Sequence, residues 1–161
     1  MTKRKLIVIV DTGPQGDRVA EWQRRALAQL SAADELVLLA CTNTHLPRSA
    51  LRHPLYYALN LLTVRNALTR SVPLGKLAAK IADRIEFASD YDGAWQVLPG
   101  AVTARIAAER PAAIIKLGMG LLRVPADLAI PILSWHHGDP EHFRGRPAAF
   151  WELRHSRATI G

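Results

Sequence analysis

Lys5-Leu6-Ile7-Val8-Ile9-Val10, followed by Asp11-Thr12-Gly13-Pro14-Gln15-Gly16-Asp17, opens the chain with a strand and a turn. The run from Leu6 to Val10 is continuous and apolar, as in a strand buried on both faces. Asp11 ends it, and the residues behind it are turn formers. Val19, Trp22, Ala26 and Leu30 then recur at spacings of three and four, which predicts one apolar face of a helix. Glu35 to Cys41 is a second apolar run of strand length. Strand, helix and strand with short joints begin a parallel α/β sheet.

The middle of the chain is less regular. Leu55, Leu59 and Leu62, joined by Tyr56, Leu61, Val64 and Leu68, predict a helix with broad apolar coverage, and Pro54 suits its start. Pro73 and Gly75 interrupt, after which Leu77, Ile81 and Ile85 share a further helical face. Residues 50–84 therefore read as a helical insertion, longer than a standard crossover. Glu86 to Tyr91 holds a short strand. Alternation then resumes: a helix over Ala101–Glu109 with Val102, Ile106 and Ala107 on one side, and a strand over Ala112–Leu117. Gly118-Met119-Gly120 turns the chain, a short helix or turn covers Leu121–Leu128, and a strand covers Pro131–Trp135. Ala148 to Arg154 is a last helix. No repeat or linker divides the 161 residues, which read as a single domain.

Composition narrows the class. The hydrophobic share is 49% and the charged share 22%, ordinary for a globular protein. No stretch approaches the roughly 20 apolar residues that a membrane span needs, and Leu6–Val10 is too short for a signal peptide. Cys41 is the single cysteine, so an internal disulfide or a multi-cysteine metal site is excluded. Its place at the end of an apolar strand fits a small buried hydrophobe, and a cytoplasmic location is expected. The formal net charge is +7. Arg48, Arg52, Arg65, Arg70, Lys76, Lys80 and Arg84 stand against Asp83 alone, so most of the excess lies between residues 43 and 84. That segment is either a solvated helical face or a patch for phosphate, nucleic acid or an anionic surface. It lacks the interleaved aromatics of a nucleic-acid reader, so nucleic acid is not favoured.

The densest chemistry lies in Ser134-Trp135-His136-His137-Gly138-Asp139-Pro140-Glu141-His142-Phe143-Arg144-Gly145, directly after a predicted strand. Ligands of open parallel α/β sheets bind outside the carboxyl ends of strands. Gly118-Met119-Gly120 closes the preceding predicted strand, so neighbouring strands would bring both loops to one crevice. His136, His137, Asp139 and His142 are also ligand types suited to zinc or iron, although adjacent histidines point in different directions.

Residues 112–161 resemble the formyltransferase family. Ser134 falls on the family's Asn and His136 on its His. Arg144-Gly145 match its Arg-Gly pair, Trp151 a helix aromatic and Gly161 the glycine before the next strand. The turn of Gly118, Met119, Gly120, Leu121 and Leu122 is similar to the loop that lines the family's folate pocket. The resemblance implies an open, mostly parallel Rossmann-like sheet of the formyltransferase type. It implies 10-formyltetrahydrofolate as formyl donor and a small or sugar-linked amine as acceptor. His136 would steady the oxyanion and Ser134 add a weaker donor, while Asp139, Arg144 and Gly145 would hold the loop or a substrate anion. The family's catalytic Asp lies beyond the position of Gly161, so weak or absent activity is expected of this chain as it stands. Two alternatives stay open: a non-catalytic binding module with an anionic partner, and a metal-dependent hydrolase built on the His136–His142 loop.

Overall fold

The apolar run that opens the chain becomes the middle strand of a parallel sheet. In the computed structural model, which describes residues 3–13, 15–42, 58, 66–81, 83–93, 95–125 and 128–135, β1 (Lys5–Asp11) pairs with β3 (Glu35–Cys41) on one side and β8 (Ala113–Leu117) on the other. Both pairings are parallel. β5 (Asp83–Phe87) extends the sheet beyond β3, and β10 (Ile132–Ser134) extends it beyond β8. The order is β10-β8-β1-β3-β5, all parallel.

Strand side chains alternate between faces, and each face meets a helix. Leu6, Val8, Val10, Leu36 and Leu38 pack with Leu27 of α1 (Glu21–Ala33), and with Leu74, Leu77 and Ile81 around a 3-10 helix, Gly75–Lys80. Ile7, Ile9, Val37, Leu39 and Ile114 pack on the other face with Val102 and Ile106 of α2 (Gly100–Glu109). Cover on both faces is why β1 and β3 are apolar without alternation. The sheet is doubly wound and Rossmann-like. Cys41 is buried in the second cluster, as a small hydrophobe should be. No helix among the described residues is long and apolar enough to cross a membrane.

Several expectations need correction. Val19 is not on the helix face; it lies in β2 (Arg18–Ala20), antiparallel to β4 (Ser71–Pro73). Ala20 is extended (φ −68°, ψ 149°), so α1 starts one residue later. The buried face of α1 is Gln23 and Leu27, while Trp22 is 39% exposed. Of the helix expected from Leu55 to Leu68, Ala58 is helical and exposed, whereas residues 55–57 and 59–65 lie outside the described residues. The remainder of the expected insertion is only partly helical. Leu68 sits in a turn held by the Asn66 carboxamide, whose oxygen accepts from the amides of Leu68 and Thr69. Ile81 is extended (φ −87°, ψ 126°) and Ile85 is a strand residue, so no helical face joins them to Leu77.

Glu86–Tyr91 divides between β5 and β6 (Asp90–Asp92). The helix or turn expected from Leu121 begins instead as β9 (Leu121–Arg123), because β7 (Trp95–Val97) offers it a parallel partner. β6, β7 and β9 form a small second sheet. Ala107 is exposed; the buried face of α2 is Val102 and Ile106, and Arg110 in the left-handed region (φ 46°) ends the helix before Pro111. The helix expected over Ala148–Arg154 lies outside the described residues.

The two ends of the sheet differ. The amino end is tied by ion pairs: Arg4 with Asp34 at 3.2 Å, and Lys5 with Glu109 at 2.9 Å and Glu35 at 3.5 Å. Arg105 adds contacts to Glu109 at 2.7 Å and Asp83 at 2.5 Å. The carboxyl end carries the loops and a cavity.

Candidate functional site

In strand order along the chain, the sheet turns back between β1 and β8. Crossovers from β1 run one way, to β3 and β5, and the later strands β8 and β10 lie on the other side. The carboxyl ends of strands at such a reversal form the usual ligand crevice. Val10 pairs with Leu117 in register, so Asp11 and Gly118 leave the sheet side by side.

On the β1 side lies a cavity of about 360 Å³, within the size range of small-molecule sites. Asp11, Thr12, Gly13, Gln15, Arg18, Val19, Ala20 and Ser71 line it. Thr12 is buried, and its amide and hydroxyl both donate to the Cys41 carbonyl, at 2.9 and 3.1 Å. Asp11 accepts the Gly13 amide at 3.0 Å. Arg18 donates from Nε to Ser71 Oγ at 3.2 Å and from Nη2 to the Ser71 carbonyl at 2.9 Å. The turn behind the cavity closes tightly: Gly16 is left-handed (φ 71°), and an added β-carbon would meet Glu86 Oε1 at 3.0 Å. The first amides of α1 are engaged, since Glu21 donates to Arg70 O and Trp22 to Leu68 O. They are therefore not presented to a phosphate in the dinucleotide-binding manner.

On the β8 side, two glutamines clamp the glycine turn. Gln23 Nε2 donates to the Leu117 carbonyl at 3.0 Å, and its Oε1 accepts the Ala20 amide at 2.8 Å. Gln96, 5% exposed, accepts the Gly120 amide at 2.7 Å through Oε1. Its Nε2 donates to Ser89 Oγ and Tyr91 Oη, each at 3.0 Å. Lys116 Nζ donates to the Gly120 carbonyl at 2.8 Å. Gly118 and Met119 are both left-handed (φ 82° and 65°). Much of this turn's polar backbone is thus spent inside the protein. Met119 and Leu122 pack against the second core cluster, and Leu121 is 55% exposed.

β10 and β8 are parallel neighbours, with Ser134 opposite Lys116. The end of β10 and the 118–120 turn therefore emerge together, as the sequence required of a shared crevice. Ser134 is exposed, and Trp135 is 69% exposed. His136, His137, Asp139, His142, Arg144 and Gly145 lie outside the described residues. Among the described residues no group of three His, Cys, Asp or Glu side chains is placed to hold a metal ion.

The Asp11–Arg18–Ser71 wall was not legible in the sequence as a site. Asp11–Asp17 reads as turn chemistry alone, and Ser71 stands 53 residues from Arg18. The one available signal was position: a carboxylate at the carboxyl end of the first strand. Compared with known proteins, the chain matches no family model, no curated protein and no solved structure.

Proposed function

We propose that this protein binds a small polar ligand at the carboxyl edge of its parallel sheet, and that the chemistry there is formyl transfer from 10-formyltetrahydrofolate to an amine. The observation that carries the reading is the parallel pairing of β8 with β10, Ser134 opposite Lys116. It supports the reading by bringing Ser134 to the same end of the sheet as the Gly118–Leu122 turn. Residues 112–161 supply the resemblance to formyltransferases.

In this reading the amine's lone pair attacks the formyl carbon, and the carbonyl oxygen takes up negative charge. The His136 imidazole donates a hydrogen bond to that oxyanion, with the Ser134 hydroxyl as a second donor. Collapse expels the tetrahydrofolate nitrogen, which takes a proton as the acceptor amine loses one. Half-buried Met119 and exposed Leu121 offer the donor's ring system apolar contact, because the Gly120 amide already serves Gln96. Asp139, Arg144 and Gly145 hold the loop or a substrate anion.

The test is formyl transfer to a panel of small and sugar-linked amines, by the chain as it stands and by His136→Ala. Transfer that the substitution abolishes, with the circular dichroism spectrum unchanged, supports the reading. Equal turnover by the variant overturns the assignment of His136. Saturable binding of a folate analogue with no turnover points to a binding module of the same fold. Stoichiometric zinc or iron in the purified protein would favour the histidine-loop hydrolase.

A further inference from the structure

The cavity at the end of β1 carries its own chemistry. Its two charged wall residues have opposite signs. The Asp11 carboxylate is oriented by the Gly13 amide. The Arg18 guanidinium is oriented by two hydrogen bonds to Ser71, which leave the group facing a neutral partner. Elsewhere on the described residues, Arg4, Arg24, Arg25, Arg84, Arg105 and Arg123 each pair with a carboxylate, whereas Arg70 and Arg110, like Arg18, pair with none there but do not line this cavity. Among the described residues neither Arg18 nor Asp11 makes an ion pair. A guanidinium held in place without a counter-anion is an anion receptor, and a fixed carboxylate nearby in the same wall is an ammonium receptor. Thr12 and Val19, 1% and 2% exposed, are the buried part of the cavity's lining.

We infer that this cavity binds a small zwitterion, its anionic group on Arg18 and its cationic amine on Asp11. The site goes beyond the formyl-transfer reading and stands without it, since none of its residues belongs to the 118–122 turn or to the segment after β10.

The test is a titration of the isotope-labelled chain followed by amide chemical shifts. The probes are glycine, 4-aminobutanoate and 6-aminohexanoate, with butanoate and butylamine as single-charge controls. At least one amino acid shifts the Gly13, Arg18 and Ser71 amides saturably, and each control binds at least about tenfold more weakly. Arg18→Gln and Asp11→Asn each weaken the best probe by about tenfold or more. The idea is overturned if no amino acid moves those amides, or if butanoate or butylamine alone binds as tightly as the zwitterion. The probe series is read on the unaltered chain, so it decides the matter even where a variant fails to fold. A folate analogue titrated in parallel reports at Met119 and Leu121 instead, so loss of one site is distinguishable from loss of the other.

Discussion

The side-chain amide of Gln23 donates to the carbonyl of Leu117, tying the first turn of α1 to the end of β8 at 3.0 Å. The same nitrogen would stand 2.8 Å from a β-carbon on Gly118. Gln23 therefore anchors the reversal in the sheet, and its amide together with the left-handed backbone at Gly118 (φ 82°) favours glycine at the next position.

Gln23→Ala leaves the Leu117 carbonyl and the Ala20 amide without their partner, at a cost of about 1–3 kcal/mol. Gly118→Ala adds left-handed backbone strain of about 1–2 kcal/mol and displaces Gln23. The double variant should lose less than the sum of the two, because the Gln23 bond can be lost only once. Urea unfolding of the four proteins measures the difference. Strict additivity would show that the contact does not couple the two sites.

Gln96→Leu should cost about 1–3 kcal/mol by the same reasoning, since the Gly120 amide loses its acceptor. Amide exchange at Gly120 should accelerate more than exchange in β1. Unchanged protection there would mean that the turn is held by the backbone alone.

Glu21 sits between Arg24 at 2.7 Å and Arg25 at 2.8 Å. Hydrogen bonds from Arg24, then Arg25, lower its carboxyl to about 2. A lowered carboxyl adds stability that is present above its ordinary value near 4.5 and is lost as pH falls towards 2. Glu21→Gln should therefore flatten the dependence of unfolding on pH between those values. Identical acid profiles for the two proteins would remove this role.

Lys5 and Glu109 shift in opposite directions. The hydrogen bond to Glu109 raises Lys5 above 10.5, and the bond from Lys5 lowers Glu109 below 4.5. Stability from Lys5 is complete below 10.5 and fades as pH rises through its raised value. Stability from Glu109 is complete above 4.5 and fades as pH falls. In Lys5→Met the Glu109 carboxyl should move back towards the ordinary range in an NMR titration. No movement would mean that Lys5 is not the partner that matters.

Ile106 is fully buried between α2 and the sheet, whereas its neighbour Ala107 is exposed. Ile106→Ala should cost about 2–5 kcal/mol, and Ala107→Ser no more than about 0.5 kcal/mol. Denaturation midpoints of the two variants check the assignment of the face.

The strands were the most legible part of the chain. Glu35–Cys41 has the bounds read from its apolar run, and β1 extends the expected strand by Asp11 alone. Helix faces were read less well. Trp22 fits the apolar spacing of α1 better than Gln23, yet Gln23 is buried because its amide serves Leu117 and Ala20. No hydrophobic pattern reports a buried polar residue whose partners lie on another element. β2 and β9 were missed for a related reason. Each is a strand of three residues, and each forms because a partner, β4 or β7, comes alongside. Of the candidate site, the sequence put the 118–120 turn and Ser134 each at the end of a predicted strand and left their adjacency conditional; the parallel pairing of β8 with β10 supplies that adjacency.

By itself the sequence determined that apolar runs alternate with amphipathic segments, which commits the chain to a parallel sheet covered on both faces. Only the tertiary structure decided the strand order, and with it the place where the sheet reverses between β1 and β8. Burial is written locally, one residue at a time, whereas adjacency is settled by packing between segments as far apart in the chain as Leu6 and Ala113. For that reason Asp11, Arg18 and Ser71, unremarkable in the chain, share one cavity.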